Sequence, residues 1–179
     1  MDEKVRKLLD NFDRKTIGNE IKQARKNIPD PDKLSRRIAD KIRKSDIYNK
    51  ANHVLLFYPM KYEINLLTLL EDNKIFYFPK VNGEDLLVCP AGPEYKKSNL
   101  GIYEPCSNPV SPEIIDVAIV PALAVDKDHY RLGYGGGFYD RFLYKYPKIK
   151  TLVPIQSQFV YNQLPHDEND IPVNYVITE

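Results

Sequence analysis

Along the first fifty residues, apolar positions recur at helical spacing. Ile17, Ile21 and Ala24 share one helix face, and two prolines between Asn27 and Asp32 break the pattern. Leu34, Ile38, Ala39 and Ile42 then form a second stripe, with Asp32 as the expected cap. Both predicted helices are amphipathic, so each needs an apolar surface to cover. The period then changes. HVLLFY (His53 to Tyr58) is a continuous apolar run ended by Pro59, the pattern of a strand buried on both faces. Ile64 to Leu70 reads as a short helix, KIFYF (Lys74 to Phe78) as a strand stopped by Pro79, and Asp85 to Cys89 as a third strand. Ile115 to Val120 is a buried strand ended by Pro121. Phe138 to Tyr146 is helical, with Phe138, Phe142, Leu143 and Tyr146 on one side. Leu152 to Ile155 and Tyr175 to Ile177 complete the strands. Strands alternating with helices predict a layered α/β fold with a mainly parallel sheet, in one domain spanning 1–179.

Composition narrows the class. With 42% hydrophobic and 28% charged residues, the chain has the balance of an ordinary soluble globular domain. The longest uncharged apolar run, Val117 to Val125, is about half of what a bilayer requires. The charged N-terminus lacks the apolar core of a secretion signal, so the expected location is cytoplasmic, with no membrane partner. Cys89 and Cys106 lie far apart without a CxxC pattern, so free thiols are expected. A net charge of +1 argues against a nucleic-acid partner. Lys and Arg do outnumber Asp between Lys22 and Lys50, as either a solvated helix face or one wall of a site for a polyanion.

Candidate chemistry concentrates in YRLGYGGGFYDR (Tyr130 to Arg141). Four of the eight glycines of the chain, Gly133, Gly135, Gly136 and Gly137, fall within five residues, after a predicted strand and before a predicted helix. Such a turn is either merely flexible or a phosphate cradle, in which glycines let backbone N–H groups face an anion at a helix start. It is neither a P-loop nor a GxGxxG turn, since Phe138 stands where the last glycine belongs. Arg131 beside it supplies a fixed positive charge, and Asp140 an oxygen ligand suited to Mg²⁺. The three histidines are scattered, and no Ser/His/Asp, Cys/His or zinc-type constellation is present.

RLGYGGGFYDR is similar to the RLGxGxGYYDR signature of 5-formyltetrahydrofolate cyclo-ligases, also called methenyltetrahydrofolate synthetases. Other segments resemble that family's marks in the same order. These are LFYPMKYEI (Leu56 to Ile64), FPKV (Phe78 to Val81), LGIYEP (Leu100 to Pro105), IVPALAVD (Ile119 to Asp126) and LPHDENDIPVNYVITE (Leu164 to Glu179). The resemblance implies a single three-layer Rossmann-like domain with an N-terminal helical segment. It implies an enzyme that uses ATP and Mg²⁺ to convert 5-formyltetrahydrofolate to 5,10-methenyltetrahydrofolate, releasing ADP and phosphate. The γ-phosphoryl group would pass to the formyl oxygen, and N10 would then attack the formyl carbon.

Carried onto this chain, the resemblance assigns Arg131, Leu132, Gly133, Tyr134, Gly135, Gly136, Gly137, Phe138 and Tyr139 to the ATP phosphates, with Arg131 and Tyr139 as the catalytic pair. Glu63, Tyr58, Tyr134 and Phe138 would hold the folate, and Asp140 with Asp170 the metal. The family's first helix carries a Lys, then an Arg four residues later, both facing ATP. Arg14 and Gly18 stand at those positions here, so one cation is missing, and Lys15 or Lys22 is the expected substitute. That departure leaves open a divergent member that binds ATP or phosphate with lost or altered folate activity. The expected assembly is a monomer or a weak homodimer.

Overall fold

The structure is a computed structural model in which residues 3–179 are described, the side chains of residues 6–11 excepted. The chain opens with three helices, α1 (Glu3–Arg25), α2 (Pro31–Lys44) and α3 (Asp46–Lys50), and enters the sheet at β1 (His53–Leu55). A 3₁₀ turn (Leu67–Glu71) precedes β2 (Ile75–Asn82) and β3 (Asp85–Pro90), followed by β4 (Tyr95–Lys97), β5 (Tyr103–Pro105) and β6 (Val117–Ile119). Then come β7 (Ala124–Asp126), β8 (Arg131–Leu132), α4 (Phe138–Lys145), β9 (Lys150–Pro154), β10 (Val160–Tyr161) and β11 (Tyr175–Ile177).

Six strands form the central sheet in the order β11-β9-β6-β1-β2-β3. All neighbours run parallel except β2 and β3. Successive residues of the central strands point to opposite faces, so each strand feeds two cores. Val54, Leu56, Val117, Ile119 and Leu152 join Ile38, Ala39 and Ile42 of α2 and Tyr48 of α3 on one face. Leu55, Ala118, Val120 and Val153 join Ile21 of α1, Phe142 and Leu143 of α4, and the small β10-β7-β8 sheet on the other. This is the three-layer arrangement expected of strands apolar at every position. Burying Ile38 and Ile42 completely contributes about 1.5–3 kcal/mol each. That packing, rather than helix propensity, holds α2 in place.

Several boundaries differ from the sequence expectation. Asp30, not Asp32, caps α2: its carboxylate accepts the Lys33 N–H at 3.1 Å, and Pro31 occupies the first helical position. The short helix expected from Ile64 is a single 3₁₀ turn beginning at Leu67. Pro79 does not stop β2. The Phe76 carbonyl points to the β3 side, accepting Ala91 N–H, and the Tyr77 carbonyl points to β1, accepting Leu56 N–H. By alternation the Pro79 nitrogen faces the β1 side, beyond the end of that strand, where no donor is required. Both cysteines are free, Cys89 buried and Cys106 exposed. Among the described residues no helix is long and apolar enough to cross a membrane.

Strand order also locates the site. From β1 the chain first adds β2 on one side and later adds β6 on the other. The crevice beyond the carboxyl ends of β1 and β6 is therefore a topological switch point, where open α/β sheets bind ligands.

Candidate active site

Two loops leave the sheet at that switch point. After β1, the chain turns through Pro59 and Tyr62, the latter at φ 69°. The turn closes on itself, with Glu63 N–H donating to the Met60 carbonyl at 3.0 Å and Met60 N–H to the Glu63 carboxylate at 2.9 Å. After β6, the Pro121 and Ala122 carbonyls face two buried arginines. Arg131 donates to Pro121 at 3.3 Å, and Arg25 donates to Ala122.

The glycine loop crosses this crevice between β8 and α4. Gly135 and Gly137 adopt φ 97° and 68°, a region favouring glycine, and Gly137 is the N-cap of α4. A Cβ at Gly136 would lie 2.6 Å from the Phe138 ring, and one at Gly137 would lie 2.6 Å from the Arg141 guanidinium. At Gly133 the obstruction is Arg131 itself, at 2.7 Å. Gly135 differs: nothing lies within 4 Å of its missing Cβ. Side chains thus cover the missing Cβ positions of three loop glycines, whereas that of Gly135 borders open space.

On one side of the loop sits an ionic cluster. Arg131 is buried, its guanidinium 3.7 Å from Asp140 and 5.3 Å from the centre of the Tyr139 ring. Burial lowers the Arg131 pKa, and Asp140 opposes that shift. Burial raises the Asp140 carboxyl, while Arg131 and the Ile171 N–H, 3.2 Å away, pull it back down. Asp170 stands close enough to act on both groups and is itself ion-paired with Arg14, whose Nε donates to the Pro165 carbonyl at 2.8 Å. Arg131, Tyr139, Asp140, Asp170 and Arg14 therefore meet, although they come from α1, β8, α4 and the C-terminal segment. Burial also pushes the Tyr139 hydroxyl far up, so it remains protonated at neutral pH.

On the other side, Glu63 and the Tyr134 hydroxyl lie close enough to act on each other's ionisation. The same hydroxyl oxygen accepts the Arg25 guanidinium at 2.9 Å. Burial raises the Glu63 pKa, and Met60 N–H, Tyr134 and Arg25 oppose the rise. Tyr134 remains 39% exposed, so its ring edges the crevice while its hydroxyl is held inside.

Other expected site residues are placed elsewhere. The rings touching Tyr58 are Phe78, Tyr95 and Tyr103, at 5.1–6.0 Å between centres, an aromatic wall built with the β4–β5 hairpin. The Phe138 ring packs under Arg141, 5.1 Å away, rather than beside Glu63. Leu132 is buried in the core, and its carbonyl accepts Leu123 N–H at 2.7 Å, so its side chain is withdrawn from the crevice. Lys15 is exposed on α1, whereas the Lys22 ammonium lies 5.7 Å from the centre of the Tyr134 ring. Gly18 faces inward, its missing Cβ 3.4 Å from Leu123 and 4.0 Å from Leu132. The helix thus lies against the strand leading into the glycine loop at the position where a cation is lacking.

Sequence reasoning missed Arg25. The signal was present: it follows Ile21 by four residues on the apolar face of α1, where a charge requires a buried partner. Among the described residues no three His, Cys, Asp or Glu side chains gather as a metal cage. Asp140 and Asp170, the two carboxylates expected at a metal, are each engaged by an arginine, Arg131 and Arg14.

Comparison with known proteins bears on this geometry. Residues 10–179 match the model of the 5-formyltetrahydrofolate cyclo-ligase family. A Haemophilus influenzae protein named 5-formyltetrahydrofolate cyclo-ligase is 31% identical, over 69% of this chain and 74% of its own. A mouse protein of the same name is 24% identical over 94% and 95%. The solution structure of Aquifex aeolicus 5,10-methenyltetrahydrofolate synthetase superposes with a TM-score of 0.79 at 28% identity, covering 92% of this chain and 89% of that one.

Proposed function

This chain belongs to the 5-formyltetrahydrofolate cyclo-ligase family, and from that premise we propose that it closes 5-formyltetrahydrofolate to 5,10-methenyltetrahydrofolate at the crevice beyond β1 and β6, with MgATP as phosphoryl donor. One observation carries the reading. A single glycine loop brings Tyr134 near Glu63 on one side and lies between Arg131 and Asp140, which face each other at 3.7 Å, on the other. It therefore holds an acceptor site and an anion site side by side, as direct phosphoryl transfer between two bound substrates requires.

The amide-like formyl group is a poor electrophile. Phosphorylation of its oxygen gives a leaving group, N10 attacks the formyl carbon, and phosphate departs with the C–O bond. Side chains need not act as nucleophiles. Arg131, charged and dry, stabilises negative charge on the transferring group, and backbone N–H groups around Gly135 add donors. Tyr139, kept protonated, stiffens the Arg131 guanidinium from below. Glu63 accepts N–H donors from the pterin edge, and the Tyr58 aromatic wall excludes water. Asp140, with Asp170 beside it, would hold the nucleotide's magnesium, whose charge neutralises the phosphates.

Absorbance of the methenyl product, followed from 5-formyltetrahydrofolate with and without MgATP, tests the proposal. Product should form only with both nucleotide and divalent ion. Nucleotide binding without any product would leave only the divergent, folate-inactive reading.

A further inference from the structure

We propose that the stacked rings of Tyr130 and His166 are a platform for the purine base of the nucleotide whose phosphates the neighbouring ionic cluster would hold. The inference rests on the proposed MgATP site and adds to it the place of the base.

The two peptide groups that flank His166 are both held at that cluster. On one side the Pro165 carbonyl accepts the Arg14 Nε–H at 2.8 Å, and on the other the Asp167 N–H donates to the Asp170 carboxylate at 2.9 Å. Arg14 and Asp170 are themselves ion-paired. Tyr130 directly precedes Arg131, whose guanidinium faces Asp140 at 3.7 Å. Each ring therefore belongs to a residue adjoining the cluster, one from the turn between β7 and β8 and one from the C-terminal segment.

The rings meet in an arrangement that aromatic packing alone does not favour. Their centres are 3.6 Å apart and their planes within 6°, a face-to-face sandwich, whereas ring quadrupoles favour offset or tilted pairs. The other aromatic pairs among the described residues are tilted by 36–87°. Anchors on both segments impose the sandwich. Asp126, buried at the end of β7, accepts the Tyr130 N–H through one carboxylate oxygen and the Leu164 N–H through the other, each at 3.0 Å. The His166 Nδ1 lies 3.1 Å from the Leu164 carbonyl. A carbonyl can only accept, so Nδ1 donates and the ring plane is fixed. Both residues are half-buried, so solvent reaches the stack.

A flat, pre-ordered aromatic surface beside an anion site matches the two parts of a nucleotide. Every base offers a π face to such a surface, and the fused rings of a purine offer the larger one. The turn itself does not need the rings. The Asp126 N–H to Tyr130 carbonyl bond, at 2.9 Å, and the bonds to the Asp126 carboxylate close it without them.

The test titrates the parent, His166→Ala, His166→Phe and Tyr130→Leu calorimetrically with MgATP, MgCTP and magnesium tripolyphosphate, which carries the anionic chain without ribose or base. The parent should bind MgATP more tightly than either of the others. His166→Ala and Tyr130→Leu should each weaken MgATP about fivefold to a hundredfold, the range for one stacked base, and change tripolyphosphate by less than about twofold. His166→Phe keeps a flat ring and should retain most of the MgATP affinity, whatever the lost Leu164 contact does to its melting temperature. Equal losses of MgATP and tripolyphosphate would show that the rings only brace the ionic cluster, and unchanged MgATP affinity in His166→Ala would place the base elsewhere. Either result overturns the inference. A parent that binds tripolyphosphate as tightly as MgATP keeps the phosphate site and loses the platform. A parent that binds neither loses the MgATP reading, and the platform with it.

Discussion

Replacing Gly135 with alanine separates a phosphate cradle from an ordinary turn. The residue sits at φ 97°, and its added Cβ would meet nothing within 4 Å. The folded protein therefore bears only the backbone cost of an L-residue in left-handed space, about 1–2 kcal/mol. In a domain of this size that lowers the melting temperature by about 2–8 °C. The open space beside Gly135 is where a phosphate would lie if the loop N–H groups bind it. A methyl group there would block one or two hydrogen bonds to an anion, each about 1.5–3 kcal/mol, for a loss of MgATP affinity of at least roughly tenfold. Gly83 is the control. It turns the β2–β3 hairpin at φ 63°, also with nothing within 4 Å of its missing Cβ, so Gly83→Ala should carry a similar thermal cost and no effect on nucleotide. Calorimetric titration with MgATP and melting of both variants make the comparison. If Gly135→Ala binds MgATP as tightly as the parent, the loop is a turn and the cradle argument is wrong.

Glu63→Gln should raise the folate KM and leave ATP KM unchanged, yet stabilise the ligand-free protein at neutral pH. Burial raises the Glu63 pKa in the fold, so its charged form opposes folding above that raised value and contributes nothing below its unfolded value. The thermal advantage of the variant should therefore shrink as pH is lowered, which melting curves across acid pH will reveal. Asp140→Asn leaves Arg131 without its countercharge and should reduce turnover at least tenfold at saturating folate, measured by methenyl absorbance, with folate binding unchanged. Gly18→Ala should raise the melting temperature by about 2–4 °C, because a helix-interior glycine costs about 1 kcal/mol and the new methyl makes ordinary contact with Leu123. Gly18→Arg should be less stable than Gly18→Ala, since its stem starts against Leu123 and Leu132; tighter MgATP binding in that variant would show that its charge reaches the phosphates.

The sequence alone determined the layers and the loop. Strands apolar at every position, such as Val54 to Leu56 and Val117 to Val120, have two faces to bury, and that requirement imposes helices on both sides of a parallel sheet. Glycine density between Gly133 and Gly137 marked the loop, because only an unusual backbone path needs so many residues without Cβ. Local reasoning failed where a neighbour decided the outcome. Pro79 was legible as a strand breaker, but the strand that would have required its N–H had already ended. The grouping of Arg14 with Asp170, 156 residues apart, and of Arg25 with Tyr134, 109 residues apart, has no signature along the chain. Sequence spacing governs which side chains share an element, whereas these pairs depend on where α1 crosses the sheet. That crossing is set by the fit of Ile21 and Gly18 against Leu123 and Leu132, a matter of shape in three dimensions.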